Sequence, residues 1–196
     1  MTQAKPQFST FQEYLSHSAD LDNRYEWIDG ELIELPPESE FNLSIANFLF
    51  LKLVNAGIPL RLVHPHACEL QVPVLQPGDA ANRYPDLVVL RQEHLPLTQR
   101  RLTITLEMPP PRLVVEVVSP GQSNRERDYN RKRAQYAKRN IPEYWLIDPE
   151  RQVVIVLELI NHQDDYQEMG RFQGNTPIIS SIGTLNLTAM DIFKLA

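Results

Sequence analysis

Residues 109–121 read PPPRLVVEVVSPG, and the apolar run at 113–118, broken only by Glu116, decides the fold. Polar and apolar residues do not alternate there. The segment therefore reads as a strand covered on both faces, as in a sheet packed between helices. A second short apolar strand, DLVVL at 86–90, lies upstream and opens with Asp86 directly after Pro85. Downstream, EYWLID (143–148) and VVIVLELI (153–160) add two more strands, and a short segment near Tyr166–Phe172 completes the set. Between the run at 113–118 and EYWLID lies SNRERDYNRKRAQYAKR (123–139), a helix started by Ser123 or Asn124 and ended before Pro142.

The flanks supply further elements. Thr10 and Glu13 form a capping-box pattern ahead of Phe11, Tyr14 and Leu15, so a short helix opens the fold. RYEWIDGELIEL reads as two strands turning at Asp29-Gly30, and Pro36-Pro37 ends them. A helix over 38–56 follows, stopped by Gly57 and Pro59. Strands are expected near 60–64 and 67–72, a loop at 73–83, and irregular chain with a β-prone LTITL over 91–111. Thr188 and Asp191 cap a last short helix. The fold class is α/β (α+β), a mixed β-sheet flanked by helices, in a single domain spanning 1–196.

The 196 residues, 42% hydrophobic and 22% charged, suffice for one sizeable core. The N-terminal MTQAKPQFSTFQEYLS lacks the apolar segment of a secretory signal, and no apolar stretch is long enough for a bilayer. A soluble, cytoplasmic protein without membrane association is expected. The single cysteine, Cys68, excludes an internal disulfide and any multi-cysteine zinc site. His64 and His66 would share a strand face, but no third histidine follows at useful spacing, and a satisfied edge or loop role is expected for them. The net charge of −6 argues against a general affinity for polyanions. It hides an asymmetry: residues 123–139 hold seven basic and two acidic side chains, a local +5 that leaves −11 on the rest. Polyanion binding would have to be local to that helix.

Three residues carry the chemical argument. A carboxylate on a doubly covered strand needs a partner, and Glu116 would find it in an arginine, a metal ion, a cleft or a core ion pair. Asp86 is either a turn-capping residue after proline or, if the two strands are neighbours, a second carboxylate converging on Glu116. Two carboxylates so placed repel unless a divalent cation neutralises them, and oxygen donors suit Mg²⁺ or Mn²⁺. In the basic helix Asp128, Lys132 and Tyr136 share one face. Lys132 either points inward, to orient or deprotonate a water and stabilise phosphate charge, or pairs with Asp128 at the surface.

The ordered combination of RYPDLVVL (83–90), PPPRLVVEVVSPG (109–121) and RDYNRKRAQYAKRNIPEYWLIDPE (127–150) resembles the Uma family. That family is a large bacterial group, abundant in cyanobacteria, within the PD-(D/E)XK nuclease superfamily. YEWIDGELIELPPESEFNLSIANFL (25–49) is similar to the family's opening, so the resemblance covers about residues 10–160. It implies a restriction-endonuclease-like core whose sheet is centrally parallel or antiparallel, and metal-dependent endonuclease activity on DNA, with a catalytically inactive binding or interaction module as the alternative. Asp86 matches the family's PD aspartate, and Glu116 its acidic residue on the next core strand; these two would be the metal ligands. Val118 stands where the superfamily name expects lysine, and Lys132 matches the lysine displaced into the following helix. Glu26 matches a characteristic acidic position near the metal, although it also reads as a solvent-facing strand residue or a partner of Arg24. Family members commonly carry a histidine where this chain reads Glu40-Phe41-Asn42; Asn42 and Gln135 are candidate cleft residues, and Tyr136 reads as a core residue before a cleft one. Arg125, Arg127, Arg131 and Arg133 would contact DNA phosphates, and a homodimer would suit cleavage of both strands.

Overall fold

A computed structural model describes residues 8–18, 23–160 and 164–194. The first helix, α1 (Phe11–Ser18), starts as its cap pattern requires: Thr10 Oγ1 accepts the Glu13 N–H at 3.1 Å. The return bond differs from the expected box, because the Glu13 carboxylate accepts the N–H of Ser9 rather than that of Thr10. Strands β1 (Tyr25–Ile28) and β2 (Glu31–Glu34) form the expected hairpin. Asp29 (φ 47°) and Gly30 (φ 86°) both lie in the left-handed region, as a two-residue turn of that hand requires. Helix α2 (Glu40–Asn55) is capped by Ser39, whose side chain accepts the Asn42 N–H, and it buries Ile45, Ala46, Leu49 and Leu53.

The expected strand at 60–64 is shorter. Residues Leu60–Leu62 form a 3₁₀ turn that feeds β3 (Val63–Pro65). Next come β4 (Glu69–Gln71), β5 (Asn82–Arg83), β6 (Leu87–Val89), the short α3 (His94–Leu97) and β7 (Thr103–Ile104). Strand β8 (Leu113–Val117) is buried at all five positions, as its unbroken apolar run demands. The basic stretch is helical but not uniform: α4 (Gln122–Glu126), a wide π turn (Arg127–Lys132) and α5 (Arg133–Lys138). Gly121 at φ 104°, rather than a serine or asparagine side chain, starts it, and the Asn124 side-chain amide donates to the Pro120 carbonyl instead. Strands β9 (Glu143–Asp148), β10 (Val153–Glu158) and β11 (Gln167–Phe172) follow, and then α6 (Ala189–Phe193) with the expected Thr188/Asp191 box.

Six strands form the main sheet in the order β11-β10-β9-β8-β6-β3. Only the central pair β8–β9 is parallel, from Leu113↔Glu143 to Val117↔Ile147, while the flanking pairs are antiparallel. A parallel pair needs a crossover, and residues 122–138 supply it as a helical layer. A small sheet, β5-β4-β7, and the β1-β2 hairpin are separate from it and adjoin each other, through the Ile28↔Ala80 bridge and the Trp27 N–H donated to Asn82. The chain thus has a mixed α/β architecture with helices on a mixed sheet. No helix among the described residues is long and apolar enough to cross a membrane.

Candidate active site

Strands β6 and β8 pair with Leu87 opposite Val115. One step further along this antiparallel register sets Asp86 across from Glu116, and directly opposed residues share a sheet face. The two carboxylates therefore point the same way at the end of the central strands, as the sequence suggested. Asp86 Oδ2 accepts the Val117 N–H at 2.6 Å, which fixes its side chain against β8.

The crossover helix supplies the rest. Lys132 Nζ lies 2.7 Å from Glu116 Oε2 and 3.0 Å from Asp128 Oδ1, and the Tyr136 hydroxyl donates to Glu116 Oε1 at 2.5 Å. Asp128, Lys132 and Tyr136 share one face as expected, and that face is inward: all three are buried. The alternative Asp128–Lys132 pair also forms, but in the interior rather than at the surface. A π turn widens the helix over 127–132, a deformation frequent at functional sites. Arg127 Nε stands 3.1 Å from Asp128 Oδ1 on the outer side.

Glu26, Tyr84, Asp86, Glu116, Arg127 and Lys132 stand on the walls of an open cleft of about 280 Å³. Its electrostatics are unusual for a core. Burial, followed by the Glu116 charge, raises Asp86 well above the ordinary carboxylate range. Burial also raises Glu116, although Lys132 opposes that rise. For Lys132 burial favours the neutral amine, but Asp128 and Glu116 more than reverse this and hold it as an ammonium. Lys132 is thus held as a positive charge beside Glu116.

Glu26 is buried on β1 and borders the cleft, but its partner is Arg83 at 2.9 Å rather than Arg24. Arg83 also donates to Gln135 Oε1, so Gln135 sits behind the cleft wall and supports it. The Asn42 amide donates to the hydroxyl of Ser119, a cleft residue, at 3.4 Å. The four arginines separate. Arg127 borders the cleft. Arg125 is bound to Asp148 and Glu150, Arg131 to Asp79, and Arg133 to Asp165. The basic helix therefore spends much of its charge on the acidic remainder of the chain.

Sequence reasoning missed two residues. His64 has the expected satisfied role, with Nε2 2.9 Å from the Arg61 carbonyl. His66 does not: its ring faces Asp86, with Nδ1 3.4 Å from Oδ1, and its buried Nε2 has no hydrogen-bond partner. Burial, and then the neighbouring Arg24 charge, lower His66 to about 4, so the ring is neutral at physiological pH. Glu38, in the loop after β2, completes a group: one ligand atom each from Glu38, His66 and Asp86 lies within 4.8 Å of the others. Two carboxylates and a neutral imidazole are a donor set that fits a divalent cation.

Comparison with known proteins bears on the fold and the family. No curated protein matches the sequence. Among solved structures, the crystal structure of "a putative nuclease belonging to DUF820 from Anabaena variabilis ATCC 29413" superposes with a TM-score of 0.65. The match covers 94% of this chain and 97% of that one, at 21% identity, which establishes a shared fold. The family described as "Uma2: Putative restriction endonuclease" matches residues 11–190, and the chain belongs to that family.

Proposed function

We propose that the protein is a metal-dependent endonuclease that hydrolyses phosphodiester bonds in DNA. The observation that carries this reading is the pair of buried carboxylates, Asp86 and Glu116, sharing a sheet face on a cleft that also holds a locked ammonium 2.7 Å from Glu116. Buried like charges with raised proton affinity are costly, and a bound Mg²⁺ or Mn²⁺ would relieve that cost. Asp86 and Glu116 are the carboxylates that would face the cation. When bound, it would supply a water of lowered pKa and a counter-charge for the phosphate.

The chain's own groups have definite tasks. Tyr136 and Lys132 hold the two oxygens of Glu116, so its carboxylate cannot rotate freely. The Lys132 ammonium, retained by Asp128, stabilises negative charge developing on phosphorus oxygens. It takes the place of the lysine that the superfamily name expects at Val118, a position here buried in the core. Arg127, on the cleft wall, receives a flanking phosphate. Arg125, Arg131 and Arg133 extend the track only if DNA displaces their carboxylate partners. Glu26 keeps Arg83 and Gln135 in place behind the site.

The test is nicking of supercoiled plasmid in Mg²⁺, in Mn²⁺ and after chelation with EDTA. Nicking that needs the cation is expected. DNA retained on a filter with no nicking under any divalent metal would make the protein a binding module on the same fold. Negligible, salt-independent DNA affinity would remove nucleic acid from the account altogether.

A further inference from the structure

We infer that Glu38 and His66 are ligands of the cation held at Asp86, and that the imidazole nitrogen makes this site prefer Mn²⁺ to Mg²⁺. The inference rests on the nuclease reading only for the existence of a cation, not for its chemistry.

Three independent parts of the chain converge on one spot. Asp86 immediately precedes β6 and is held by the Val117 N–H. His66 follows β3, the strand antiparallel to β6, and continuation of the Pro65↔Leu87 register brings it beside Asp86. Glu38 comes from the loop between the hairpin and α2, where Pro36 and Pro37 restrict the backbone just before it. Their ligand atoms lie within 4.8 Å of one another, a span that one ion can bridge.

His66 is built for something other than packing. Its backbone adopts φ 51°, a conformation uncommon for a residue with a Cβ. Two hydrogen bonds pin it there: its N–H donates to the Asp86 carbonyl at 2.9 Å, and Arg24 donates to its carbonyl at 3.1 Å. The ring so placed turns Nδ1 toward Asp86 Oδ1 at 3.4 Å, and its Nε2 is buried without a hydrogen-bond partner. A buried imidazole normally satisfies both nitrogens, and a strained residue persists only where its surroundings enforce it. A metal ion between the imidazole and the two carboxylates accounts for the ring's orientation toward Asp86.

Glu116 differs in this respect. Both of its oxygens already receive hydrogen bonds, from Lys132 and Tyr136, and it is not part of the converging set. Mg²⁺ favours an all-oxygen octahedral shell, whereas Mn²⁺, a transition-metal ion of similar charge, accepts an imidazole nitrogen more readily, so an O, O, N set favours Mn²⁺ over Mg²⁺.

The experiment is calorimetric titration of the full chain with MnCl₂ and with MgCl₂, for wild type and single variants, with folding checked by circular dichroism. Glu38→Gln keeps shape and removes charge. His66→Asn removes the imidazole but tolerates positive φ. Each is expected to weaken Mn²⁺ binding about tenfold or more, the scale of lost metal-site interactions. His66→Asn should also shrink the wild-type preference for Mn²⁺ over Mg²⁺. Glu116→Gln should weaken binding less than either. Wild-type Mn²⁺ affinity in both Glu38→Gln and His66→Asn would overturn the proposal, as would a wild type that binds no Mn²⁺. Tight Mn²⁺ binding lost in these variants, in a protein that cuts no DNA, would refute the nuclease reading and leave this one standing. DNA cleavage with unaltered Mn²⁺ affinity in both variants would do the reverse.

Discussion

Glu116 on β8 and Glu143 on β9 are two glutamates on adjacent parallel strands, each almost wholly buried, yet their surroundings are opposite. Glu143 is surrounded by neutral donors. The Trp145 indole N–H and the Ser180 hydroxyl donate to Oε1 at 2.5 Å, and the Ser181 N–H and hydroxyl donate to Oε2. No cation pairs with it among the described residues. It fastens the chain near 180 to the sheet, a structural task. Glu116 instead sits among charges, with Lys132 against it, Asp128 behind, Asp86 across the strand and a cleft in front. Burial of a carboxylate on a core strand is therefore no sign of function by itself. Concentrated charge of both signs beside accessible space is the sign.

The contrast is broken most severely by Lys132→Met. That change strands Glu116 and Asp128 together without their cation, and losing one partner of a buried ion pair costs about 3–5 kcal/mol. The sign of its pH dependence follows from Glu116. Burial already raises its pKa in the folded state, and without Lys132 it rises further. The folded variant then binds a proton more tightly than the unfolded chain, so its stability is greatest in acid and is lost as pH rises through the carboxylate range. Urea denaturation at about pH 5 and about pH 8 should show a larger deficit at the higher value.

Glu143→Ala comes next. It strips the acceptors from the buried indole and from Ser180, at a cost of about 3 kcal/mol in unmatched donors. Urea denaturation at a single pH measures that deficit. A smaller effect of opposite sign is expected at Asp86. Its raised pKa means that ionising it costs folding stability at neutral pH. Asp86→Asn should therefore stabilise the metal-free chain by about 1 kcal/mol, a common trade between stability and function. Calorimetric melting in EDTA checks this; added Mn²⁺ should then raise the Tm of the wild type and not of the variant. The smallest effect belongs to Arg133→Ala at the exposed Asp165 pair, below about 1 kcal/mol. DNA affinity should fall more for Arg127→Ala than for Arg133→Ala in filter binding across a salt series.

Much of this was written in local sequence. The unbroken run around Glu116, the acidic residue opening the β6 segment, the i, i+4 spacing of Asp128, Lys132 and Tyr136, and the Asp29-Gly30 turn all act over a few residues. What escaped depends on long-range pairing. His66 reaches Asp86 only through the β3–β6 register, and Glu38 only through the path of the loop after the hairpin. Glu26 prefers Arg83, 57 positions away, to nearby Arg24. The basic helix read as an open phosphate track because the residues that occupy its arginines, Asp79, Asp148, Glu150 and Asp165, lie elsewhere in the chain. The parallel pairing of β8 with β9 was equally open, since an apolar strand fits either direction.

The most direct test is the single-turnover rate of plasmid cleavage in Mn²⁺ for wild type, Asp86→Asn and Glu116→Gln. Loss of either carboxylate should slow cleavage by about 10²–10³-fold, the scale of removing one group that stabilises a transition state. If both variants, folded, cut DNA at the wild-type rate, the chemistry lies outside this cleft and the account is wrong.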